Sequence, residues 1–131
     1  MTPREITLHR SNVEVAAGSP RIYTIGEPTI ANAINEYEII LTDATLEEAS
    51  QDVDSLLVAF QNGPVPENGI NGGTIEGYLA ICADRLEGFQ AGKFPCEENA
   101  EALKHIYAAL EALHSRTRAR QARGVEGKMS A

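Results

Sequence analysis

The chain has 131 residues, 43% hydrophobic and 23% charged, enough to bury a core as one globular unit or as two small lobes. Its formal net charge of -8 and sequence pI near 4.8 argue against broad nucleic-acid binding, because most of the surface would repel a phosphate backbone. No stretch approaches the roughly 20 apolar residues of a membrane span, and MTPREITLHR lacks the apolar core of a signal peptide, so a soluble intracellular protein is expected.

Residues 1–60 have strand character. EITL, NVEV, RIYTI, YEIILT and VDSLLVAF are short and rich in β-branched residues, and turn formers such as Gly18-Ser19-Pro20 and Gly26-Glu27-Pro28 separate them. An antiparallel sheet is the expected outcome, with a helical turn over residues 46–50. Asp52 and Asp54 share a face if their segment is a strand. They have no partner acid or ligand set nearby, so a solvated edge accounts for them better than a carboxylate pair.

The composition then changes. QNGPVPENGINGGT, residues 61–74, holds three Asn-Gly pairs and two prolines, which suits tight turns, and the expected role of residues 61–73 is a connector or a glycine-rich ligand loop. Residues 74–131 read as a helical hairpin. In the first arm Ile75, Tyr78, Leu79, Cys82, Leu86 and Phe89 recur at three- and four-residue intervals, with Thr74 as N-cap and Gly92 as stop. In the second arm Leu103, Ile106, Leu110, Leu113 and Thr117 keep a heptad-like spacing. The fold class is therefore α+β, an N-terminal antiparallel sheet followed by a C-terminal antiparallel helical hairpin. One pair of helices cannot bury both its faces, so docking on the sheet, on another subunit or on both is expected.

Cys82 and Cys96 fall in opposite arms, about 9 Å apart along the hairpin axis, too far for a disulfide; both are expected as buried apolar filler. With three scattered histidines and no CxxC or HxxxH pattern, no metal site is expected. His105 and His114, nine residues apart on one helix, face opposite ways and cannot serve one site. No nucleophile–base pair emerges and the Walker and Rossmann patterns are absent, so the chain is expected to be no enzyme and to need no cofactor.

Charge is unevenly spread. No lysine or arginine lies between Arg21 and Arg85, whereas residues 116–123 hold four arginines and no acid. At 100° per residue Arg116, Arg120 and Arg123 fall within an arc of roughly 60° beside the apolar stripe, and Arg118 points to the opposite side. Cations in a last turn complement the helix dipole, with Gly124 as a left-handed stop, which accounts for one or two of these arginines. A three-member face suits a phosphate ligand better, because guanidinium grips phosphate through paired hydrogen bonds.

Four motifs in order are more specific than any one of them. FQNGP at residues 60–64, GxNG at 69–72, RLxxFQxGxFxCxEN at 85–99 and LxxRTxxRxxRGVEG at 113–127 together resemble the phage anti-Thoeris sponge proteins, which share a helical hairpin with the anti-CBASS sponges. The resemblance implies a protein that binds, without cleaving, cyclic ADP-ribose isomers made by TIR-domain immune enzymes, in the cytoplasm of an infected bacterial host. It also implies a homo-oligomer, dimer or hexamer, and in some relatives a separate site for cyclic di- or trinucleotides. The family's ligand contacts fall here on Phe89, Asn99, Arg116 and Arg120: a ring to stack on a base, an amide for base or ribose, and two cations for a pyrophosphate. Glu97 stands where many members carry an arginine, and Lys128-Met129 replaces the usual Thr-His. Two other readings stay open at this stage: a small phage nucleic-acid-binding or regulatory protein that uses the arginine face, and an oligomeric structural or adaptor protein.

Overall fold

The structure, a computed structural model, describes residues 3–10, 20–41 and 54–124, and the chain forms two compact units, Met1–Asn62 and Gly63–Ala131. The NVEV segment, the helical turn expected over residues 46–50, Asp52 and the residues after Gly124 lie outside the described part.

In the first unit, strands β1 (Glu5–Ile6), β2 (Arg21–Ile25), β3 (Glu36–Ile40) and β4 (Ser55–Ala59) pair antiparallel in chain order. The pleat sends alternate residues to opposite faces. One face carries Ile6, Ile22, Ile39 and Leu56 in one cross-strand row and Thr24, Tyr37 and Val58 in the next; the other carries Tyr23 and Ile40. Tyr23 and Thr24 are adjacent in sequence and both buried, so each face of the sheet is covered at its centre. Asp54 is exposed, as a solvated edge requires, and its carbonyl accepts the Leu41 N–H.

A polar hub supports the β1 end. Glu5 Oε2 accepts hydrogen bonds from Arg10 Nη2 at 2.6 Å and Arg21 Nη1 at 2.9 Å. Partial burial alone would raise the Glu5 carboxyl, but the two guanidinium groups outweigh it and hold the group below its ordinary value.

The second unit holds helices α1 (Val65–Asn68), α2 (Ile75–Ala91) and α3 (Glu97–Ala122). The helical turn α1 corrects the expectation that residues 61–73 form turns alone. Pro64 is its N-cap, and proline in a first turn forfeits no helical hydrogen bond, so the same prolines that signal a turn can also open a helix. Gly63, at φ +82°, precedes it, and a Cβ there would meet Asn68 Oδ1 at 2.7 Å. Gly88, by contrast, sits inside α2 with open space around it. Thermal unfolding should therefore split these two glycines. Gly63→Ala lowers stability by about 1 kcal/mol, whereas Gly88→Ala raises it by about 0.5 to 1 kcal/mol, shifting Tm in opposite directions.

The hairpin ends are capped as the sequence suggests. Thr74 Oγ1 accepts the Gly77 N–H at 2.9 Å, Gly92 closes α2 by donating to the Phe89 carbonyl, and Gly124 ends α3 at φ +72°. Along α3 the expected stripe of Leu103, Ile106, Leu110, Leu113 and Thr117 is half-buried throughout. On α2 the packed line runs through Tyr78, Leu79, Ala83 and Leu86, with Ala83 at 5% exposure. A small side chain there lets the two helices approach closely. Cys82, Ile75 and Phe89 flank that line and are exposed. Cys96 is exposed too, as the N-cap of α3, so neither cysteine is the buried filler expected, although both are free thiols. A single helix pair packs along one seam only, and residues beside the seam stay uncovered. No helix among the described residues is long and apolar enough to cross a membrane.

Candidate functional site

The hairpin turn is built around Gln90. Its side-chain amide donates from Nε2 to the Cys96 carbonyl at 3.1 Å, and its Oε1 accepts the Cys96 N–H at 3.0 Å. This two-point clamp joins the last turn of α2 to the first residue before α3. Cys96 Sγ in turn accepts the Asn99 N–H at 3.4 Å, which satisfies one of the free donors at the start of α3. Phe89 and Asn99 therefore lie at the same end of the hairpin, each next to a member of the clamp. Farther along, Tyr107 donates to Glu87 Oε2 at 2.7 Å and ties the two helices together; that bond raises the Tyr107 hydroxyl above its ordinary value.

Phe89 is 43% exposed, with the Arg85 guanidinium 5.0 Å from its ring centroid. The ring is not part of the core, and a cation already rests against it, so a second flat group can stack on what is left of its surface. Asn99 is half-buried in the first turn of α3. Glu97 and Glu98 are both exposed in that turn, where carboxylates suit the positive end of the helix dipole.

The arginines occupy the other end of α3. Arg116 is exposed, Arg120 is half-buried, and Arg123 is the C-cap, its N–H bonded to the Ala119 carbonyl. Arg118 projects from the far side and is engaged by Glu111 at 2.7 Å, so it is turned away from the other three. Arg116 and Arg123 have no carboxylate partner among the described residues. This is the division the helical phase predicts.

The axial distance matters more. From Asn99 to Arg116 is 17 positions of one continuous helix, about 25 Å, and Arg120 lies about 6 Å beyond. One copy of the hairpin brings Phe89 to Asn99 and Arg116 to Arg120, but it does not bring the two pairs together. A nucleotide-sized ligand cannot span that gap within one chain.

Among the described residues no group of histidine, cysteine and carboxylate side chains is arranged to hold a metal ion. His105 pairs with Glu101 at 2.9 Å, and His114 is exposed on another side of α3. Sequence reasoning missed the Gln90 clamp and the Arg85–Phe89 contact. The second had a signal, since Arg85 and Phe89 are four apart on a helix; the first did not, because a glutamine beside a glycine-containing loop has no distinguishing pattern.

Residues 53–118, half of the chain, match the family model of the Acb2/Tad1 hairpin domain. The chain is also similar to the protein named Thoeris anti-defense 1 from Bacillus phage SBSphiJ7, 47% identical over 70 residues that cover 53% of this chain and 49% of that protein. The chain thus spans about half the length of this curated relative.

Proposed function

The chain belongs to the Acb2/Tad1 hairpin-domain family, and on that premise we propose that it is a phage anti-defence sponge. It binds cyclic ADP-ribose isomers made by TIR-domain immune enzymes and sequesters them, uncleaved, in the cytoplasm of the infected bacterial host. The observation that carries the proposal is the matched hairpin itself. Phe89, Asn99 and Arg116 lie within the matched stretch, and Arg120 lies two residues beyond it. A stacking ring and an amide at one end, with a cationic pair at the other, are the complementary groups for a base and a pyrophosphate.

The separation of the two pairs along α3 gives the proposal its form. The pocket is shared: Phe89 and Asn99 come from one chain, and Arg116 and Arg120 from a second chain packed antiparallel to it. Homo-oligomerisation then covers the apolar residues that flank the hairpin seam, among them Ile75 at 52% and Ile81 at 66% exposure.

The test is direct. The purified protein is incubated with a panel of cyclic ADP-ribose isomers and cyclic di- and trinucleotides, then heated, and the released ligand is identified. Recovery of an intact cyclic ADP-ribose isomer supports the proposal; linear ADP-ribose above a no-protein control, or no retained nucleotide, overturns it. The shared pocket has its own test. Phe89→Ala and Arg116→Ala chains each fail to bind alone, and a mixed oligomer of the two regains binding at a fraction of its sites. A mixture as inert as its parents would mean that each pocket is built within one chain. Light scattering that gives a 14.1 kDa species with ligand bound would refute it too.

A further inference from the structure

The N-terminal unit contains a cavity of its own. It is open to solvent, about 550 Å³ in volume, and is formed where the β2–β3 connection folds over the sheet beside Arg4. That size is in the range of small-molecule sites. The connection is held in shape by its own backbone. The Thr29 N–H donates to the Ala33 carbonyl at 2.8 Å, the Asn32 N–H donates to the Thr29 carbonyl at 2.8 Å, and Asn32 takes a left-handed φ of 65°. Behind it the Tyr37 ring meets Phe60 edge-on at 6.0 Å between centroids, which fixes the ring as part of the wall.

Each polar side chain that lines this cavity can donate a hydrogen bond. Thr24 is 2% exposed and its Oγ1 accepts the Arg4 backbone N–H at 2.9 Å, so its own hydroxyl proton is a buried donor with no acceptor among the described residues. Arg4 itself has no carboxylate partner among those residues, whereas Arg10 and Arg21 of the same unit both pair with Glu5. The Asn32 amide and the Tyr37 hydroxyl complete the set, and no carboxylate among the described residues lines the cavity. In a protein with a net charge of -8, a cavity walled by donors and by the apolar Pro28, Ala33 and Ile34 is set apart from its surroundings.

From this we infer that the N-terminal unit binds a small organic anion, a carboxylate or phosphate carried on a compact apolar body. The head group takes the Arg4 guanidinium and the Thr24 hydroxyl, and the body lies against Pro28, Ile34 and the Tyr37 ring. The site's described lining residues, Arg4 to Tyr37, belong to the first unit and precede the stretch, residues 53–118, that matches the hairpin family.

The experiment is a nitrogen-15 NMR titration of the full chain with phenyl phosphate and with benzoate, whose relative strengths identify the head group, and with benzyl alcohol as a neutral analogue. One of the two anions should give saturable shifts centred on the amides of Thr24, Asn32, Ala33 and Tyr37, with benzyl alcohol at least about tenfold weaker. Arg4→Ala should weaken the anion about tenfold or more, and Asn32→Gly by several-fold. Both variants suit the fold, since Arg4 is an exposed residue and glycine accepts the left-handed φ of Asn32. Absence of saturable shifts with both anions up to about 10 mM, shifts confined to other residues, or an Arg4→Ala variant that binds as well as the parent would overturn the inference.

Discussion

Arg116→Ala or Arg120→Ala should abolish the thermal shift expected from the proposed cyclic ADP-ribose ligand, while leaving the unliganded melting curve in place. A sponge has to hold its signal at nanomolar concentration, which corresponds to about -12 kcal/mol, and a single stacked base with one amide falls well short of that. Charge-assisted hydrogen bonds contribute about 1.5 to 3 kcal/mol each, so losing one bidentate guanidinium costs a hundredfold or more in Kd. Phe89→Ala, which removes the stacking face, should weaken binding by about 1 to 3 kcal/mol. Arg118→Ala is the internal control: its side chain is engaged by Glu111 on the other side of α3 and should change binding little. Isothermal titration of the four variants ranks them. Equal losses at all three arginines would mean that the cluster acts as a diffuse positive field at a helix end rather than as a grip.

That ranking rests on helical phase, which is legible in the sequence itself. So were the caps: Thr74 precedes a periodic apolar run, and Gly92 and Gly124 follow one, because helix ends leave unpaired backbone groups that only a few residue types satisfy. The strand RIYTI, and the strand Ser55–Ala59 within the expected VDSLLVAF, were legible from β-branched content. Less was legible where two structures share a signal. Proline and glycine mark turns, but proline also opens helices, and the turn α1 within residues 61–73 was missed for that reason. The cysteines were misjudged because periodicity reports a broad apolar face, whereas a lone helix pair buries only the line through Ala83 and Leu86. The distance between Asn99 and the arginines follows from rise per residue alone. The Gln90 clamp on Cys96 could not be foreseen, because it needs a loop conformation that no local pattern encodes.

The other large effect expected lies in the sheet. Glu5→Ala should loosen the N-terminal unit by about 2 kcal/mol, because it leaves Arg10, whose side chain is 5% exposed, charged and without the carboxylate that compensates its burial. Arg10 Nε already lacks a hydrogen-bond partner among the described residues, so none of them takes the place of Glu5. Acid has a milder version of the same effect. The folded-state pKa of Glu5 is lowered, so its contribution to stability is fully present above the unfolded-state value and is lost as the pH falls through the folded value, in the acid range below ordinary carboxylates. Glu5→Gln should therefore flatten the acid limb of the stability curve and converge with the parent protein at low pH. Hydrogen exchange is the appropriate readout, since it separates the units. Amides of Tyr23 and Glu38 in the β2–β3 ladder should lose protection in the Glu5 variants, while those of Leu103 to Leu113 in α3 keep theirs. Equal loss in both units would mean that they unfold as one, and unchanged protection in the ladder would show that the hub contributes nothing to holding the sheet.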